Sequence, residues 1–243
     1  MIPEVRRFDS LAEASRSLAA YLTATICADA AANGVCSLAL TGGATPQTLY
    51  RELTAPDLAG TMPWPLLHLF WGDERLVPHE HPASNYALAK ATLLDQVPLP
   101  ATNIHAIATD TASAETAAVR YEEELRGFFG APPEGAAGFP RFDCILLGMG
   151  EDGHIASLFP GSPLLAEQRR WVVACGPSGS PPLPRVTLTL PVLNSAKRVV
   201  LLISGPQKGC ILNEILAAPE AAAQRYPAAR IRNPATILWF VAP

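Results

Sequence analysis

Short apolar segments alternate along the chain with longer amphipathic stretches, and this alternation restricts the fold more than any other feature. The sequence predicts buried strands over 35–40, 66–71, 142–147, 199–204 and 236–241. It predicts a first helix that begins after Ser10 and ends at Gly34, then helices over 46–53, 83–94, 115–128 and 206–216. Gly- and Pro-rich loops are predicted over 130–140 and 176–184, with a candidate strand at 171–175. Strands and helices in this order form βαβ units, so we expect an α/β protein with a parallel sheet.

Length and composition exclude several classes of protein. With 49% hydrophobic and 16% charged residues, the chain of 243 residues lacks the composition of an intrinsically disordered protein. A folded chain of this size buries roughly 70% of its extended surface, so it can form one domain with a full core. The formal net charge of −4 leaves no basic excess for a nucleic-acid partner.

Cysteine usage and hydropathy indicate the compartment. The five cysteines show no CxxC spacing, which argues against a disulfide framework and against a zinc knuckle. The N-terminal residues MIPEVRRFDS lack the apolar segment of a signal peptide. Aliphatic runs such as 199–203 are far shorter than the ~20 residues of a membrane helix. We therefore expect a cytoplasmic protein without a membrane partner.

Glycine and charged residues directly follow several of the predicted strands. They occupy the segments 41–46, 72–75, 148–154 and 205–208. In an open parallel sheet the carboxyl ends of the strands face one edge, and ligands bind beyond that edge. We therefore expect these segments to meet around one binding site.

Two of these segments open helices and carry features of an anion site. Gly42 and Gly43 allow a ligand to approach the backbone closely where a helix starts, with Thr45 as the predicted N-cap of that helix. Lys208 lies in the first turn of another helix, where a cation opposes the helix dipole unless an anion binds. Arg185 adds a guanidinium suited to bidentate phosphate contact. The alternative interpretations are that the glycines form an ordinary tight turn and that the cations are solvated surface residues.

The segment 148–154 ends in the sequence Asp-Gly-His. Its glycines match GxGxxG, but Pro160 and Gly161 interrupt the helix that a dinucleotide fingerprint needs, so we reject that interpretation. Histidine accepts a proton near neutral pH, and the carboxylate of Asp152 can orient the ring of His154. The pair is a candidate general base, and a histidine that packs a strand end is the alternative interpretation.

The charged residues at 73–75 and the histidines after them are less specific. The three consecutive charges form either a solvated turn or part of the site, where Arg75 would stabilise an anion. His79 and His81 lie in a loop between prolines without the helical HExxH spacing, so we predict no metal site. The chain has no GxSxG sequence and no cysteine at the predicted edge, so a covalent nucleophile is not favoured.

Together these segments resemble the 6-phosphogluconolactonase family. The matching motifs run in the family's order: TGGATP (41–46), WGDERLVP (71–78), SNY (84–86), LGMGEDGHIASLFPG (147–161), RVTLT (185–189) and SGPQK (204–208). The related glucosamine-6-phosphate deaminases typically have DEY in place of DER and DGHIAFNEPG in place of DGHIASLFPG. Arg75 and the residues 157–159 therefore favour the lactonases. Ala44 departs from the family's SGGSTP, which removes a side-chain hydroxyl contact to phosphate.

The resemblance implies a single domain over residues 1–243 with a modified Rossmann-like α/β fold, helices on both faces of a mainly parallel sheet, and no metal or other cofactor. It implies hydrolysis of 6-phospho-D-glucono-1,5-lactone to 6-phospho-D-gluconate, the second step of the oxidative pentose phosphate pathway. On this hypothesis the catalytic residues are His154, Asp152 and Arg75. The substrate-binding residues are Gly42, Gly43, Thr45, Asp73, Arg185 and Lys208. We expect a monomer or a weak homodimer.

Other functions remain open on the residues alone. An isomerase or deaminase of the same fold would use Asp73 as a base that moves a proton between carbons. A sugar-phosphate sensor would bind 6-phosphogluconate without accelerating hydrolysis of the lactone. A dinucleotide-dependent oxidoreductase is the least favoured, because the helix after 148–153 is interrupted.

Overall fold

Strands and helices alternate through most of the chain. The computed structural model describes residues 3–130, 138–232 and 234–243. Within these ranges the strands are β1 (Glu4–Arg7), β2 (Cys36–Leu40), β3 (Leu67–Trp71), β4 (Asp73–Arg75), β5 (Ile104–His105), β6 (Cys144–Leu147), β7 (Val172–Ser178), β8 (Leu183–Leu188), β9 (Arg198–Ser204) and β10 (Thr236–Ala242). The α-helices are α1 (Leu11–Asn33), α2 (Ala44–Leu53), α3 (Pro56–Ala59), α4 (Asn85–Thr92), α5 (Ala114–Phe129), α6 (Leu190–Ser195), α7 (Pro206–Ala217) and α8 (Pro219–Arg225). Short 3-10 helices cover Trp64–Leu66, Leu94–Gln96, Ala101–Asn103, Pro163–Ala166 and Pro227–Arg230.

A seven-stranded parallel sheet forms the centre of the fold. Its strand order is β1-β10-β9-β6-β2-β3-β5, and every neighbouring pair is parallel. The central strands β2 and β6 are buried along their whole length. Parallel strands that are covered on both faces need this continuous apolar character, which is why short aliphatic segments predicted them. The expected α/β fold with a mainly parallel sheet is confirmed.

Successive strands are added first towards one edge of the sheet and then back towards the other edge. Connections through α1, α2 and α4 lead from β1 to β2, β3 and β5, and those through α5 and α7 lead back by β6 and β9 to β10. Right-handed crossovers place these two groups of helices on opposite faces, and α1 packs on α2. The direction changes between the adjacent strands β2 and β6. Their connections diverge and leave a crevice at the carboxyl ends of the strands.

A three-stranded antiparallel sheet extends the molecule beyond the carboxyl end of β3. Its order is β4-β8-β7, and β4 follows β3 after the single residue Gly72. Gly72 O accepts from Leu188 N at 2.9 Å, and Gly72 N donates to Leu40 O at 2.9 Å, so this residue joins the two sheets. The candidate strand at 171–175 belongs to this second sheet as part of β7, a location that the sequence did not indicate.

The predicted helices and strands agree with the observed ones to within two residues at their ends, apart from one N-cap and the candidate strand at 171–175, which β7 exceeds by three residues at its end. Ser10 caps α1 by accepting from Glu13 N at 3.1 Å, and Gly34 ends the helix with a φ of 74°. The prediction of Thr45 as the N-cap of α2 is wrong. Gly43 is the N-cap, because its φ of 99°, a conformation that a β-branched residue resists, already turns the chain into the helix.

The two predicted loops differ in outcome. Most of the loop predicted over 130–140 lies outside the described residues, at 131–137. The loop predicted over 176–184 is shorter than expected, because β7 continues to Ser178 and β8 begins at Leu183. Pairing of Ser178 with Leu183 extends this hairpin almost to its turn.

Two buried tyrosines hold the carboxyl ends of β2 and β3. The Tyr50 hydroxyl on α2 donates to Thr41 O at 2.7 Å and accepts from Thr41 N at 3.1 Å. The Tyr121 hydroxyl on α5 donates to Trp71 O at 3.0 Å and accepts from Trp71 N at 2.9 Å. Burial raises the pKa of both hydroxyls, so each stays a neutral donor. A helix on each face of the sheet therefore fixes a strand end next to the crevice.

A chain of hydrogen bonds joins Glu124, His105 and His68 near the β5 edge of the sheet. Glu124 Oε1 lies 2.6 Å from His105 Nδ1, and His105 Nε2 lies 2.9 Å from His68 Nδ1. The ring of Phe128 packs against both imidazoles. Burial, and after it the neighbouring His105, lowers the pKa of His68.

The lowered pKa of His68 predicts a loss of stability in mild acid. The unfolded chain binds this proton more readily, so the free energy of unfolding should fall as the pH drops below the ordinary histidine pKa of ~6.5. In His68→Gln this proton uptake is absent. Urea titrations should therefore show a smaller fall in the free energy of unfolding between about pH 7 and pH 5. His81→Gln is the control, because His81 is exposed on a loop. Equal pH dependence in both variants would contradict the prediction.

Candidate active site

An open cleft with a volume of about 160 Å³ lies beyond the carboxyl ends of β2, β3, β6 and β9. Each of the glycine-rich or charged segments that the sequence predicted to meet contributes to it. The predicted site residues that line the cleft are Gly42, Gly43, Thr45, Asp73, Arg75, His154, Arg185 and Lys208. Asp152 does not line the cleft but binds His154.

The turn between β2 and α2 presents a helix N-terminus to the cleft. Gly43 is the N-cap of α2, and no side chain caps the first turn of the helix. A Cβ at Gly42 would overlap Asn85 Oδ1, so close packing requires glycine there. The first backbone N–H groups of α2 and the positive end of its dipole therefore face the cleft without a side-chain acceptor.

A second helix N-terminus, that of α7, lies at the same cleft. Its N-cap is Gly205, with a φ of 110° and no side-chain cap. Gln207 donates from Nε2 to Glu151 O at 2.8 Å, which ties the start of α7 to the segment that carries His154. Lys208 lines the cleft and has no ion-pair partner among the described residues. Two helix N-termini and one ammonium group thus make part of the cleft positive.

Asp152 and His154 form a hydrogen-bonded pair beside the cleft. His154 Nδ1 lies 2.6 Å from Asp152 Oδ1, and His154 N donates to the same oxygen at 3.0 Å. Partial burial acts to raise the pKa of Asp152, but these two hydrogen bonds outweigh it and hold the pKa below its ordinary value. An ionised carboxylate beside Nδ1 keeps the ring proton on that nitrogen and leaves Nε2 as a proton acceptor.

The pair forms only because Gly150 has no side chain. A Cβ at residue 150 would overlap His154 Nδ1 and would lie 2.7 Å from Asp152 Oδ1. The loop closes through Gly150 N, which donates to His154 O at 2.9 Å, and through Gly153 N, which donates to Gly150 O at 3.0 Å. Phe159 packs on the imidazole with ring centroids 4.5 Å apart. The GxGxxG sequence therefore shapes a histidine loop, in agreement with the rejection of a dinucleotide fingerprint.

Asp73 lines the cleft, yet its side chain is almost completely buried and engaged by its neighbours. Its Oδ2 accepts from Ser157 Oγ at 2.6 Å and lies 4.0 Å from Arg185 Nη1. Its Oδ1 lies 3.4 Å from Asn85 Nδ2. Asp73 is 5% exposed and Ser157 is 0% exposed. Burial of a carboxylate is costly unless such partners compensate for the lost water.

Glu74 is 1% exposed and does not line the described cleft. Its Oε1 accepts from Arg75 N at 2.8 Å and from Asn85 N at 2.7 Å, and its Oε2 accepts from Ser84 Oγ at 3.0 Å and from Tyr86 N at 2.7 Å. Burial raises the pKa of Glu74 against the opposing effect of the backbone donors. The alternative of a solvated turn for these consecutive charges is therefore wrong, since both carboxylates are buried in hydrogen-bond networks.

Arg185 lies deep in the cleft and is 3% exposed. Its Nε donates to Ser178 O at 2.9 Å, and its Nη2 donates to Pro181 O at 3.3 Å. Its guanidinium carbon lies 5.7 Å from the centre of the Phe159 ring. Burial, and after it the charge of Arg75, lowers the pKa of Arg185. Backbone carbonyls of the β7–β8 hairpin thus bind Nε and Nη2 of this arginine, while Nη1 faces Asp73.

Asn85 and Ser157 belong to the site although the sequence assigned them no role. Asn85 Oδ1 accepts from Arg75 Nη1, which also donates to Ala83 O at 3.1 Å. Ser157 donates to Asp73. Both lie in motifs that carry the family resemblance, SNY and ASLF, but a buried polar side chain leaves no periodic or charge signal in one sequence.

The cleft combines a proton acceptor, a positive region and two arginines. No serine or cysteine is found among the described residues that line it, so neither side chain is available there as a covalent nucleophile. In the described part of the chain, no group of three potential ligands could hold a metal ion.

Comparisons with known proteins identify similar sequences and similar folds. Residues 9–239 match the family model described as glucosamine-6-phosphate isomerases/6-phosphogluconolactonase. A 6-phosphogluconolactonase of Synechocystis sp. is 44% identical over 211 residues, which cover 87% of this chain and 83% of that protein. The 6-phosphogluconolactonase structure from Thermotoga maritima has a TM-score of 0.84 at 29% identity, and the match covers 99% of this chain and 100% of that protein. The 6-phosphogluconolactonase structure from Leishmania guyanensis has a TM-score of 0.87 at 28% identity, and the match covers 100% of this chain and 97% of that protein.

Replacing Gly150 with alanine should break the hydrogen bond between Asp152 and His154, because the new Cβ would overlap the ring nitrogen that donates it. Proton NMR should lose the downfield imidazole N–H signal of His154 in Gly150→Ala. Gly127→Ala is the control, since its Cβ meets nothing within 4 Å and it lies inside α5, where alanine adds up to ~1 kcal/mol of stability. A signal that persists in Gly150→Ala would contradict the prediction.

Proposed function

The chain belongs to the glucosamine-6-phosphate isomerase/6-phosphogluconolactonase family, and we propose that it hydrolyses 6-phospho-D-glucono-1,5-lactone to 6-phospho-D-gluconate, the second step of the oxidative pentose phosphate pathway. It is a hydrolase that acts on a lactone ester. One observation supports the proposed substrate and mechanism most directly. The pair of Asp152 and His154 lies beside the same cleft as Lys208 and two helix N-termini without side-chain caps.

In this proposal the substrate phosphate binds in the positive part of the cleft. The backbone of Gly42, Gly43 and Thr45 provides N–H donors at the start of α2, and Lys208 provides an ammonium group. Arg185 contributes from deeper in the cleft through Nη1, since its other nitrogens bind backbone carbonyls. Charge-assisted hydrogen bonds are about twice as strong as neutral ones. A substrate anchored at its phosphate carries its carbonyl carbon towards the imidazole.

The imidazole of His154 acts as the general base. Its Nε2 accepts a proton from water as the water oxygen attacks C1 of the lactone, and Asp152 stabilises the imidazolium through Nδ1–H. The imidazolium then returns the proton to the ring oxygen as the bond between C1 and that oxygen breaks. General-base catalysis typically contributes ~10²–10⁴-fold in rate. A lactone is an activated ester, so the proposal involves no covalent intermediate.

Two further residues have roles in the proposal, one in contact with the substrate and one through Arg185. Arg75 stabilises the negative charge that develops on the carbonyl oxygen during attack. Asp73 supports substrate binding chiefly by holding Arg185, whose Nη1 lies 4.0 Å from Asp73 Oδ2.

The contacts of Asp73 argue against an isomerase or deaminase, which would use this carboxylate as a base to move a proton between substrate carbons. Its carboxylate already accepts from Ser157 Oγ and faces Asn85 and Arg185, so both of its oxygens are engaged by protein groups rather than free to contact a substrate carbon. Incubation with glucosamine 6-phosphate separates the two activities, because only a deaminase releases ammonia.

We also propose a single domain, a cytoplasmic location, no metal or other cofactor, and a monomer or weak homodimer. The cysteines of the described chain are all free, as is usual in a reducing compartment. Within the described residues, no helix has both the length and the apolar character needed to cross a bilayer. Cell fractionation and size-exclusion chromatography test the location and the oligomeric state.

The wild-type protein should release acid from freshly prepared 6-phospho-D-glucono-1,5-lactone faster than the spontaneous rate in a pH-stat. Because His154 is the general base, His154→Ala should lower kcat by at least ~10²-fold with an unchanged circular dichroism spectrum. His81→Ala, at an exposed loop histidine, should keep wild-type turnover. No excess over the spontaneous rate for the wild type would refute the function, and wild-type turnover in His154→Ala would refute the role of His154.

Loss of the Lys208 ammonium should affect phosphorylated substrate selectively. Lys208→Ala should raise KM for the phosphorylated lactone at least ~10-fold, because a charge-assisted contact is worth about 1.5–3 kcal/mol, and should leave KM for glucono-1,5-lactone nearly unchanged. Lys90→Ala is the matched control, since this exposed lysine pairs with Asp95 on the surface. Equal losses with both lactones would show that Lys208 does not bind phosphate.

A further inference from the structure

Arg75 depends on its neighbours for its orientation. Among the described residues its guanidinium forms hydrogen bonds only through Nη1, to Ala83 O at 3.1 Å and to Asn85 Oδ1. Its Nε is buried and has no partner in the described part of the chain. A long side chain held at one nitrogen can turn about its torsions, so the Nη1 contacts decide where its other donors point.

Asn85 presents a fixed acceptor to this guanidinium. It is the first residue of α4 and is 1% exposed. Its Nδ2 donates to Asp73 O at 2.8 Å, while its Oδ1 accepts from Arg75. Since Nδ2 cannot accept a hydrogen bond, the contact with Asp73 determines which end of the carboxamide faces Arg75.

A single carboxylate oxygen joins the backbones of the two residues. Glu74 Oε1 accepts from Arg75 N at 2.8 Å and from Asn85 N at 2.7 Å. Glu74 is 1% exposed, so water does not compete for this oxygen. The distance between the start of α4 and strand β4 is therefore set by a buried, charge-assisted contact.

Asn85 also packs against the turn that precedes α2. A Cβ at Gly42 would overlap Asn85 Oδ1, the same atom that accepts from Arg75. The orientation of Arg75 is thus coupled to the glycine turn through one buried side chain.

We propose that Asn85 is a positioning residue that holds the Arg75 guanidinium towards the carbonyl of the bound lactone, with Glu74 fixing the spacing of the two backbones. This inference rests on the proposed function, because Arg75 acts on the lactone carbonyl there. A donor that is already oriented stabilises developing charge without reorganisation, whereas a freely turning one does not. Loss of Asn85 should therefore lower kcat more than it changes KM.

The first test compares Asn85→Ala with Asn103→Ala. Asn103 is also buried and donates to Pro65 O and Leu67 O, but it does not line the cleft. Both variants should lose thermal stability, while only Asn85→Ala should lower kcat, by ~10-fold or more, with KM within about threefold of wild type. Equal kcat losses, or a loss confined to KM, would overturn the proposal. If Asn85→Ala does not fold, Asn85→Ser, which keeps a small polar side chain, takes its place with the same expected kcat loss.

The second test asks whether Asn85 acts through Arg75. In an Arg75→Ala background, adding Asn85→Ala should change kcat by less than about threefold, because the group that it positions is already absent. Multiplicative effects of the two substitutions would show that Asn85 acts independently of Arg75 and would overturn the proposal. Wild-type protein without lactonase activity would instead refute the proposed function.

A third measurement does not depend on activity. The Arg75 Nε–H signal in ¹⁵N-edited NMR should be slow to exchange with solvent in the wild type and in Asn103→Ala, and should broaden or disappear in Asn85→Ala. An unchanged Arg75 signal in Asn85→Ala would overturn the proposal whatever the activity.

Discussion

The parallel pairing of β2 with β6, whose connections then leave on opposite faces of the sheet, is the constraint on which the rest of the structure depends. Parallel strands end at a common edge, and the helices that follow them begin there with their positive ends. The glycine turn before α2 and the histidine loop after β6 therefore lie side by side, and α7 adds its N-terminus from β9. A hydrogen bond from Gly148 N to Thr41 Oγ1 at 3.3 Å bridges the two strand ends.

The antiparallel sheet adds what the parallel sheet lacks, a set of buried charged groups. Its strands β4 and β8 bring Asp73, Glu74, Arg75 and Arg185 to one side of the cleft. Each carboxylate is surrounded by donors, and Arg185 by backbone carbonyls and an aromatic ring, which offsets much of the cost of removing these charges from water. Arg75 binds acceptors only through Nη1. Substrate groups that displace water from this environment meet dipoles that are already oriented.

The site could be predicted from sequence where a residue conflicts with its local surroundings. Gly42 and Gly43 at a strand end, a lysine in the first turn of a helix, and a histidine that ends a glycine-rich loop all stand out against helix and strand preferences. Thr45 was assigned as a cap from its residue type, but the positive φ at Gly43 decided the helix start instead. Asn85 and Ser157 gave no such signal, because a buried polar residue is explained only by partners that are distant in sequence. The charges at 73–75 stood out, but their burial did not.

The amino-acid sequence by itself determined five strands of the parallel sheet, the five longest of the described α-helices, and the edge at which glycine and charge accumulate. These features follow from local preferences and from the periodicity of apolar residues, which act over a few positions. Only the tertiary structure decided that 73–75 pairs with a strand more than a hundred residues away, and that Asp73 and Glu74 are buried rather than solvated. The reason is physical: the burial of a charge is tolerated only when folding supplies its hydrogen-bond partners, and no local pattern records where those partners lie.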